Sequence, residues 1–310
     1  MSRLAIIIPA YKGAFLEKAL NSIANQSCTD FTVYVGDDAS PDSLEEICSR
    51  WRHRIDLHYH RFNQNLGGRD LVAQWERCIA LSQEPWLWLF GDDDMMDANC
   101  VESFLDEFDS VGRKFDIYRF NTVIVDEYDS EIRRTPDFPE VITAEEFILK
   151  RFRSEICSFL SDYIFSRDAF VTAGGFQSFP RAWCSDDAAC VKLSGIAGIK
   201  TIDGPRVKWR LSGLNISSRH DADKHDKMRA ALEYLGWVGE YLKAAEGGPG
   251  ETVRREIMLA GRHWLCGQAR LLRISLMSAY LFKYSREMSN IYSTPFAYEL
   301  YKMLSHRLLR

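Results

Sequence analysis

Residues 86–97 read Trp86-Leu87-Trp88-Leu89-Phe90-Gly91-Asp92-Asp93-Asp94-Met95-Met96-Asp97. The unbroken run of large apolar residues, closed by a glycine, predicts a short strand buried on both faces. Four carboxylates follow it at once, at positions 92, 93, 94 and 97. Toward the N-terminus the same rhythm recurs. Leu4–Ile8 is an aliphatic run closed by Pro9, Phe31–Val35 ends in Gly36-Asp37-Asp38, and Ile55, Leu57 and Tyr59 alternate with polar residues. Between these runs Phe15, Leu16, Ala19, Leu20, Ile23 and Ala24 recur at helical spacing, as do Leu71, Val72, Trp75, Cys78 and Ile79; each set makes one apolar helix face. Ser43 and Glu46 predict a capping box for a helix that continues to Arg52,. Strands separated by helices of this length predict an α/β fold with a mostly parallel, helix-covered sheet.

Past the acidic stretch the rhythm changes. Val101, Phe104, Leu105 and Phe108 predict a helix starting near Ala98, with Asp94 or Asp97 as its cap,. Phe115–Val125 and Tyr163–Phe165 read as strands, Thr143 and Glu146 as the start of a helix through Phe152, and Gly174-Gly175 as a turn. From Lys224 the chain reads as helix, broken at Gly247-Gly248-Pro249-Gly250, the best linker signal in the sequence,.

Composition bounds the function. The 310 residues are 46% hydrophobic and 27% charged, which excludes wholesale disorder,. A net charge of −5 argues against a nucleic-acid coat,. The longest uncharged run, Ala169–Pro180, is far short of the ~18 apolar residues of a spanning helix,. Met1-Ser2-Arg3 leads into an apolar stretch too short for a secretion signal, and the eight cysteines include no Cys-x-x-Cys pair. The expectation is a cytoplasmic protein with reduced thiols.

In an open parallel sheet, ligands bind outside the carboxyl ends of the strands. Pro9-Ala10-Tyr11, Asp37-Asp38, Arg61 with Asn65, and Asp92-Asp93-Asp94 follow the four strands in turn. Adjacent carboxylates repel unless neutralised, and a hard divalent cation (Mg²⁺ or Mn²⁺) sharing one or two of them with substrate phosphates would do so. No Gly-x-Gly-x-x-Gly follows the first strand and no Gly-x-x-x-x-Gly-Lys-Ser/Thr is present. A nicotinamide dehydrogenase and a P-loop nucleotidase are therefore disfavoured. Asn65-Leu66-Gly67-Gly68-Arg69-Asp70 reads as the loop opening the Trp75 helix, with Arg61 or Arg69 turned to a phosphate.

The ordered set Ile7-Ile8-Pro9-Ala10-Tyr11, Val35-Gly36-Asp37-Asp38-Ala39-Ser40-Pro41-Asp42, Asn65-x-Gly67 and Asp92-Asp93-Asp94 resembles a family 2 glycosyltransferase. Gly174-Gly175-Phe176 before Asp186-Asp187 resembles that family's catalytic-base segment, and Trp209-Arg210-Leu211-Ser212-x-x-Asn215-Ile216-Ser217 its closing loop. The resemblance covers residues 3–218. It implies a GT-A type fold with a Rossmann-like nucleotide-binding half, a catalytic domain over 1–218 and a helical region over 219–310. It also implies an inverting, metal-dependent transfer from a nucleotide-diphospho-sugar, usually a UDP-sugar, to a glycan or lipid-linked acceptor in surface-polysaccharide synthesis. Pro9, Ala10 and Tyr11 would then line the nucleotide pocket, and Asp38 or Asp37 would bind the base. Either Asp93, or Asp92 with Asp94, would hold the metal. Asp186, ahead of Asp187, would be the base, with Asn65, Arg69 and Arg210 beside the donor. Arg210 reads equally as a surface ion-pair residue. A sugar nucleotidyltransferase and a non-catalytic carbohydrate-binding protein are the alternatives.

Trp183 and Trp209 flank the closing segments and offer faces for an acceptor sugar, whereas Trp75, Trp86 and Trp88 read as core. Residues 260–310 carry eight Lys/Arg against Glu287 and Glu299, with Leu271, Leu272, Leu276, Tyr280 and Leu281 near helical spacing. Such a stretch either lies on the inner face of an anionic membrane, where lipid-linked acceptors reside, or packs within the protein or a homodimer.

Overall fold

The computed structural model describes residues 2–213, 223–244, 249–271, 279–295 and 297–302, the side chains of 271 and 279–281 excepted. The expected boundary at 218, Asn215-Ile216-Ser217, Gly247-Gly248 and Leu272 and Leu276 lie outside them, as do the side chains of Leu271, Tyr280 and Leu281. Two compact units are present: residues 1–144, 156–177 and 185–212 form the first, and 145–155, 178–184 and 213–310 the second.

The first unit is a ten-stranded mixed sheet with helices. β1 (Leu4–Ala10), β2 (Phe31–Asp37), β3 (Leu57–Arg61) and β4 (Trp86–Leu89) lie in the order β3-β2-β1-β4 and pair in parallel. α1 (Leu16–Ala24), α2 (Leu44–Ser49) and α3 (Leu71–Ile79) connect them. Leu4, Ile6, Ile8, Leu16, Leu20, Ile23, Val33 and Val35 join one apolar core, which is why these runs carry no polar residue on the covered face,. Beyond β4 the sheet turns mixed. β9 (Tyr163–Ser166) lies antiparallel between β4 and β6 (Ile117–Val125), and β10 (Ile199–Arg210) runs parallel to β6. A register shift in β10 between Ile202 and Arg206 contains Gly204 at φ +100°, a conformation that glycine tolerates and other residues resist,. The outer part of β10 pairs antiparallel with the two-residue β5 (Met95–Met96). β7 (Glu131–Arg134) and β8 (Val141–Ile142) extend β6 and β10. Trp86 and Trp88 are buried among Phe90, Phe104, Phe108, Tyr118 and Phe120, as core residues.

Two local expectations are corrected. Ser43 stands before α2 but its side chain makes no capping bond, so there is no capping box. The helix after the acidic stretch, α4 (Cys100–Val111), begins after Asn99, and neither Asp94 nor Asp97 caps it. The intervening residues instead pair with β10: the Arg206 amide donates to Asp97 Oδ2 at 3.0 Å and the Arg210 amide to Asp94 Oδ1 at 3.0 Å. Strand pairing here satisfies the carboxylates better than a helix N-terminus would. α6 (Arg167–Thr172), capped by Ser166, and α7 (Ser185–Ser194) complete the unit.

The second unit holds α5 (Ala144–Phe152) apart from its first residue, α8 (Lys224–Ala244), α9 (Glu251–Leu271) and α10 (Ala279–Tyr292). Gly261 lets α9 pack tightly, since a Cβ there would meet Leu235 Cδ1 at 2.4 Å. Ile257, Leu265, Cys266 and Ala269 of α9 are buried, whereas Val253 and Leu259 of the same helix are exposed. Arg262, one of the eight basic residues of the tail, is mostly buried and pairs with the fully buried Glu299 at 3.0 Å, over the Tyr292 ring.

Candidate active site

The carboxyl ends of β1, β2 and β4 bring their polar loops to one edge of the first unit. β2 delivers Asp37 and Asp38, both buried. Asp37 Oδ1 accepts from the Ser40 amide (2.7 Å), while Oδ2 accepts from the Tyr59 hydroxyl (2.5 Å) and Arg61 (2.6 Å). Burial, reinforced by that bond to Asp37, pushes the Tyr59 hydroxyl well up. Asp38 Oδ1 accepts from the Leu66 amide (2.7 Å) and from Arg77 (2.5 Å), and its Oδ2 from the Gly67 amide (2.8 Å). A Cβ on Gly67 would come within 2.9 Å of Asp38 Oδ2, so that loop closes on the carboxylate only with glycine there. Asn65 works within the same loop, its Nδ2 donating to Asp38 O (3.3 Å) and its Oδ1 accepting from the Gly68 amide (2.9 Å). Arg61 is tied to Asp37 and to Ser40 O, Arg69 is exposed, and Asp70 caps α3 by accepting from the Ala73 amide.

The acidic triplet does not present three equivalent carboxylates. Asp92 Oδ2 accepts from the Tyr11 and Lys12 amides, at 2.9 and 3.0 Å, which fastens the end of β1 to the end of β4. Asp93 has Lys12 Nζ at 3.6 Å. Asp94 has both oxygens engaged: the Ser161 hydroxyl donates to Oδ2 (2.5 Å) and the Arg210 amide to Oδ1. Burial raises the Asp93 carboxyl above the usual carboxylate range, helped by the Asp92 charge and opposed by Lys12. Burial raises Asp94 further, with the Asp93 charge as the second cause. Of the two registers open for a metal, one centred on Asp93 and one using Asp92 with Asp94, the second would need the carboxylate whose two oxygens Ser161 and the Arg210 amide already engage.

Arg210 is a buried residue, not a surface one. Its Nε donates to Asp93 O (2.8 Å), its NH1 group to Asp126 O (2.8 Å) and pairs with Asp129 (2.5 Å), and the guanidinium lies over the Phe15 ring. Among the described residues no group of three or more His, Cys, Asp and Glu could hold a metal ion. The donor set suits a hard cation held by one or two carboxylates and completed by a ligand's phosphate oxygens, which is how Mg²⁺ commonly binds.

Three of the residues that shape this site left no mark in the sequence. Ser161, in a short 3₁₀ turn before β9, bonds Asp94, accepts from the Gly91 amide (3.0 Å), and its carbonyl accepts from the Trp88 indole (2.8 Å). Arg77 and Tyr59 hold Asp38 and Asp37; the only signal for them was that buried carboxylates demand partners. The turn is itself anchored, because Asp162 accepts from Thr122 (2.6 Å) and the Phe159 amide (3.1 Å) and pairs with Arg119 (3.5 Å), both side chains fully buried. Burial pushes Asp162 up to about 6 against the pull of Arg119.

Asp186 and Asp187 open α7. Asp187 is buried, whereas Asp186 is partly exposed and its Oδ1 accepts from the Asp187 amide (3.0 Å). Lys192, one turn and a half further on, donates to Gly175 O (2.6 Å). Trp209 stacks on Phe159 with ring centroids 4.4 Å apart. Within the second unit, Lys227 lies over the Trp183 ring.

A parallel half with acidic loops gathered at its strand ends, continued by antiparallel strands, defines a GT-A type fold. Residues 5–181, more than half of the chain, match the family described as Glycosyl transferase family 2. The protein belongs to that family. Over 99 residues it is 33% identical to the abequosyltransferase RfbV of Salmonella typhimurium, a match covering 30% of this chain and 28% of that one. Over 118 residues it is 31% identical to the poly(ribitol-phosphate) beta-N-acetylglucosaminyltransferase TarS of Staphylococcus aureus, covering 36% of this chain and 20% of that one. These matches thus span under a third of either relative's length. The crystal structure of S. aureus TarS 1–349 superposes with a TM-score of 0.70 at 15% identity, covering 99% of this chain and 89% of that one. The same fragment with UDP-GlcNAc gives 0.66 at 14% identity, covering 94% and 80%.

Proposed function

We propose that this protein is an inverting glycosyltransferase that moves a sugar from a UDP-sugar to a hydroxyl of a glycan or lipid-linked acceptor in surface-polysaccharide synthesis. The observation that carries the reading is the joining of the β1 and β4 ends through Asp92, which sets Asp93 and Lys12 side by side in the segment matching the family. The names of the relatives favour sugar transfer, and the UDP-GlcNAc and UDP complexes of TarS favour a UDP-sugar donor.

In this reading the exposed Tyr11, with Pro9 and Ala10, borders the nucleotide, and Asp38 binds the base while Asp37 shapes the pocket wall. Asn65 shapes the neighbouring loop. Arg69 is free of the stitching that ties down Arg61, and can reach a phosphate. Asp93, with Asp92, would hold Mg²⁺ or Mn²⁺, which when bound offsets charge on the leaving diphosphate. Asp94 and Arg210 fix the triplet from behind.

Asp186 takes the acceptor hydroxyl proton as that oxygen bonds to the anomeric carbon and the bond to the diphosphate breaks on the opposite face. Its partial exposure supports it over the buried Asp187. A work site on the inner face of a membrane is consistent with α10, which exposes Phe282 beside Lys283 and Arg286.

The test is a pair of neighbours. Asp186→Asn should keep UDP affinity while transfer falls by roughly 10²–10⁴-fold, the usual worth of positioned proton transfer. Asp187→Asn should leave the chemical step largely intact. Equal transfer by parent and Asp186→Asn would remove Asp186 as the base, UDP binding without transfer by the parent would favour a carbohydrate-binding protein, and nucleotide-sugar formation from a sugar phosphate would favour a nucleotidyltransferase.

A further inference from the structure

The helix that carries Asp186 is almost wholly inside the protein. Eight of the ten residues of α7 are buried, and Asp186 and Lys192 are the two that keep partial access to solvent. Its buried apolar side chains, Ala188, Ala189, Cys190, Val191 and Leu193, are mostly small and spread round the axis. No apolar stripe then fixes how the helix is rotated, and directional contacts must do so. In the last turn that contact is made by Lys192, whose Nζ donates to Gly175 O at 2.6 Å, a short charge-assisted hydrogen bond.

The accepting carbonyl stands on a fixed platform. The Gly174 amide donates to Val171 O at 3.0 Å and the Gly175 amide to Phe170 O at 2.9 Å, which ends α6 in a tight turn. Both glycines are left-handed, at φ +75° and +70°, where other residues are strained. A Cβ on Gly175 would also come within 2.5 Å of Glu76 Oε1. That oxygen accepts from the Phe176 amide at 3.1 Å, and the Phe176 ring is buried against Trp75, Phe165 and Phe170. Trp75 and Glu76 belong to α3, whose next residue, Arg77, holds Asp38. The turn that receives Lys192 is thus built on the helix that steadies the candidate nucleotide loop.

Resting on the reading of Asp186 as the base, we infer that Lys192 is a positioning residue, which fixes the rotation of α7 on the Gly174-Gly175 turn and so aims Asp186 at the acceptor hydroxyl. It acts through the helix, from six residues away. A rotation of about 20° carries a carboxylate lying roughly 5 Å from the helix axis through about 2 Å. A misplacement of ~1 Å can cost ~10²-fold in rate. Arginine can donate to the same carbonyl, whereas methionine, of similar length, cannot.

The full chain is compared as parent, Lys192→Met, Lys192→Arg and Glu76→Ala, each also combined with Asp186→Asn. UDP is titrated calorimetrically in MnCl₂, and melting is recorded alongside. Turnover is followed as UDP release from whichever of UDP-glucose, UDP-galactose and UDP-GlcNAc the parent uses fastest. Lys192→Met should lower kcat roughly 10–100-fold with UDP affinity and donor KM unchanged. Lys192→Arg should stay near the parent. Glu76→Ala, at an exposed position where folding is safe, loosens the same turn and should lower kcat several-fold. Beside Asp186→Asn all three changes should be nearly silent, because no base is left to aim. The inference is overturned if Lys192→Met lowers only the melting temperature, if it weakens UDP binding, or if its cost on kcat persists beside Asp186→Asn. Should Lys192→Met fail to fold, a Glu76→Ala kcat equal to the parent's overturns it instead. A parent that releases no UDP removes the reading of Asp186 itself.

Discussion

Ser161→Ala is the substitution whose effect can best be worked out from the structure. Ser161 is 3% exposed, and its hydroxyl accepts from the Gly91 amide at 3.0 Å while donating to Asp94 Oδ2 at 2.5 Å. Alanine removes the oxygen and leaves an amide and a carboxyl buried without it. With Asp94 holding its proton both bonds are neutral, each worth about 0.5–1.5 kcal/mol,. The total loss is about 1–3 kcal/mol. For a unit of this size each kcal/mol lowers the melting temperature by about 2–4 °C, so the first unit should melt roughly 2–12 °C earlier by calorimetry.

The same change frees Asp94, and with it the register of the triplet, so UDP affinity in Mn²⁺ should fall as well. A double-mutant cycle with Asp94→Asn isolates the contact. A melting shift below ~2 °C, or effects additive to within ~0.5 kcal/mol, would refute the reasoning that this hydroxyl clamps the triplet.

Two further outcomes follow from buried charge. Asp94 holds its proton in the folded protein at pH values where the unfolded chain has lost it, so its contribution is destabilising as pH rises above the ordinary carboxylate value,. Asp94→Asn should therefore show a flatter decline of stability with rising pH than the parent in urea titrations from acid to neutral pH; parallel curves would contradict the raised Asp94 carboxyl. Asp162→Ala strands the fully buried Arg119. It should cost about 3–5 kcal/mol in the urea unfolding of the first unit, and a loss under ~1 kcal/mol would show the pair to be dispensable.

The parallel half of the fold was legible because β1, β2 and β4 are short, largely apolar runs bounded by proline, glycine or aspartate, a pattern that depends on few distant contacts. β5 was not, since two methionines after three aspartates look like the lead-in to a helix until β10 supplies the partner strand. The candidate residues Asp37, Asp38, Asp92, Asp93 and Asp94 were legible as carboxylates placed after strands. How they divide the work was not, because that depends on Ser161, Arg77 and Lys12, each an unremarkable residue in its own neighbourhood. Arg210 reads in sequence as one basic residue at a strand end; its burial comes from Phe15 and Asp129, both remote in the chain.

The position of β9 has a consequence for how the molecule is made. It pairs Ser166 with Trp86 on one side and Phe165 with Ile117 on the other. On the ribosome, β1 to β4 emerge first, and until residue 166 is free the outer edge of β4 faces water with its ladder unfilled, a surface open to pairing with other chains. The strand that closes this edge is continuous with the turn bearing Ser161. Completion of the sheet and fixing of the acidic triplet are thus parts of one late event, and a nascent chain ending short of β9 carries the aspartates without the arrangement that gives each its own role.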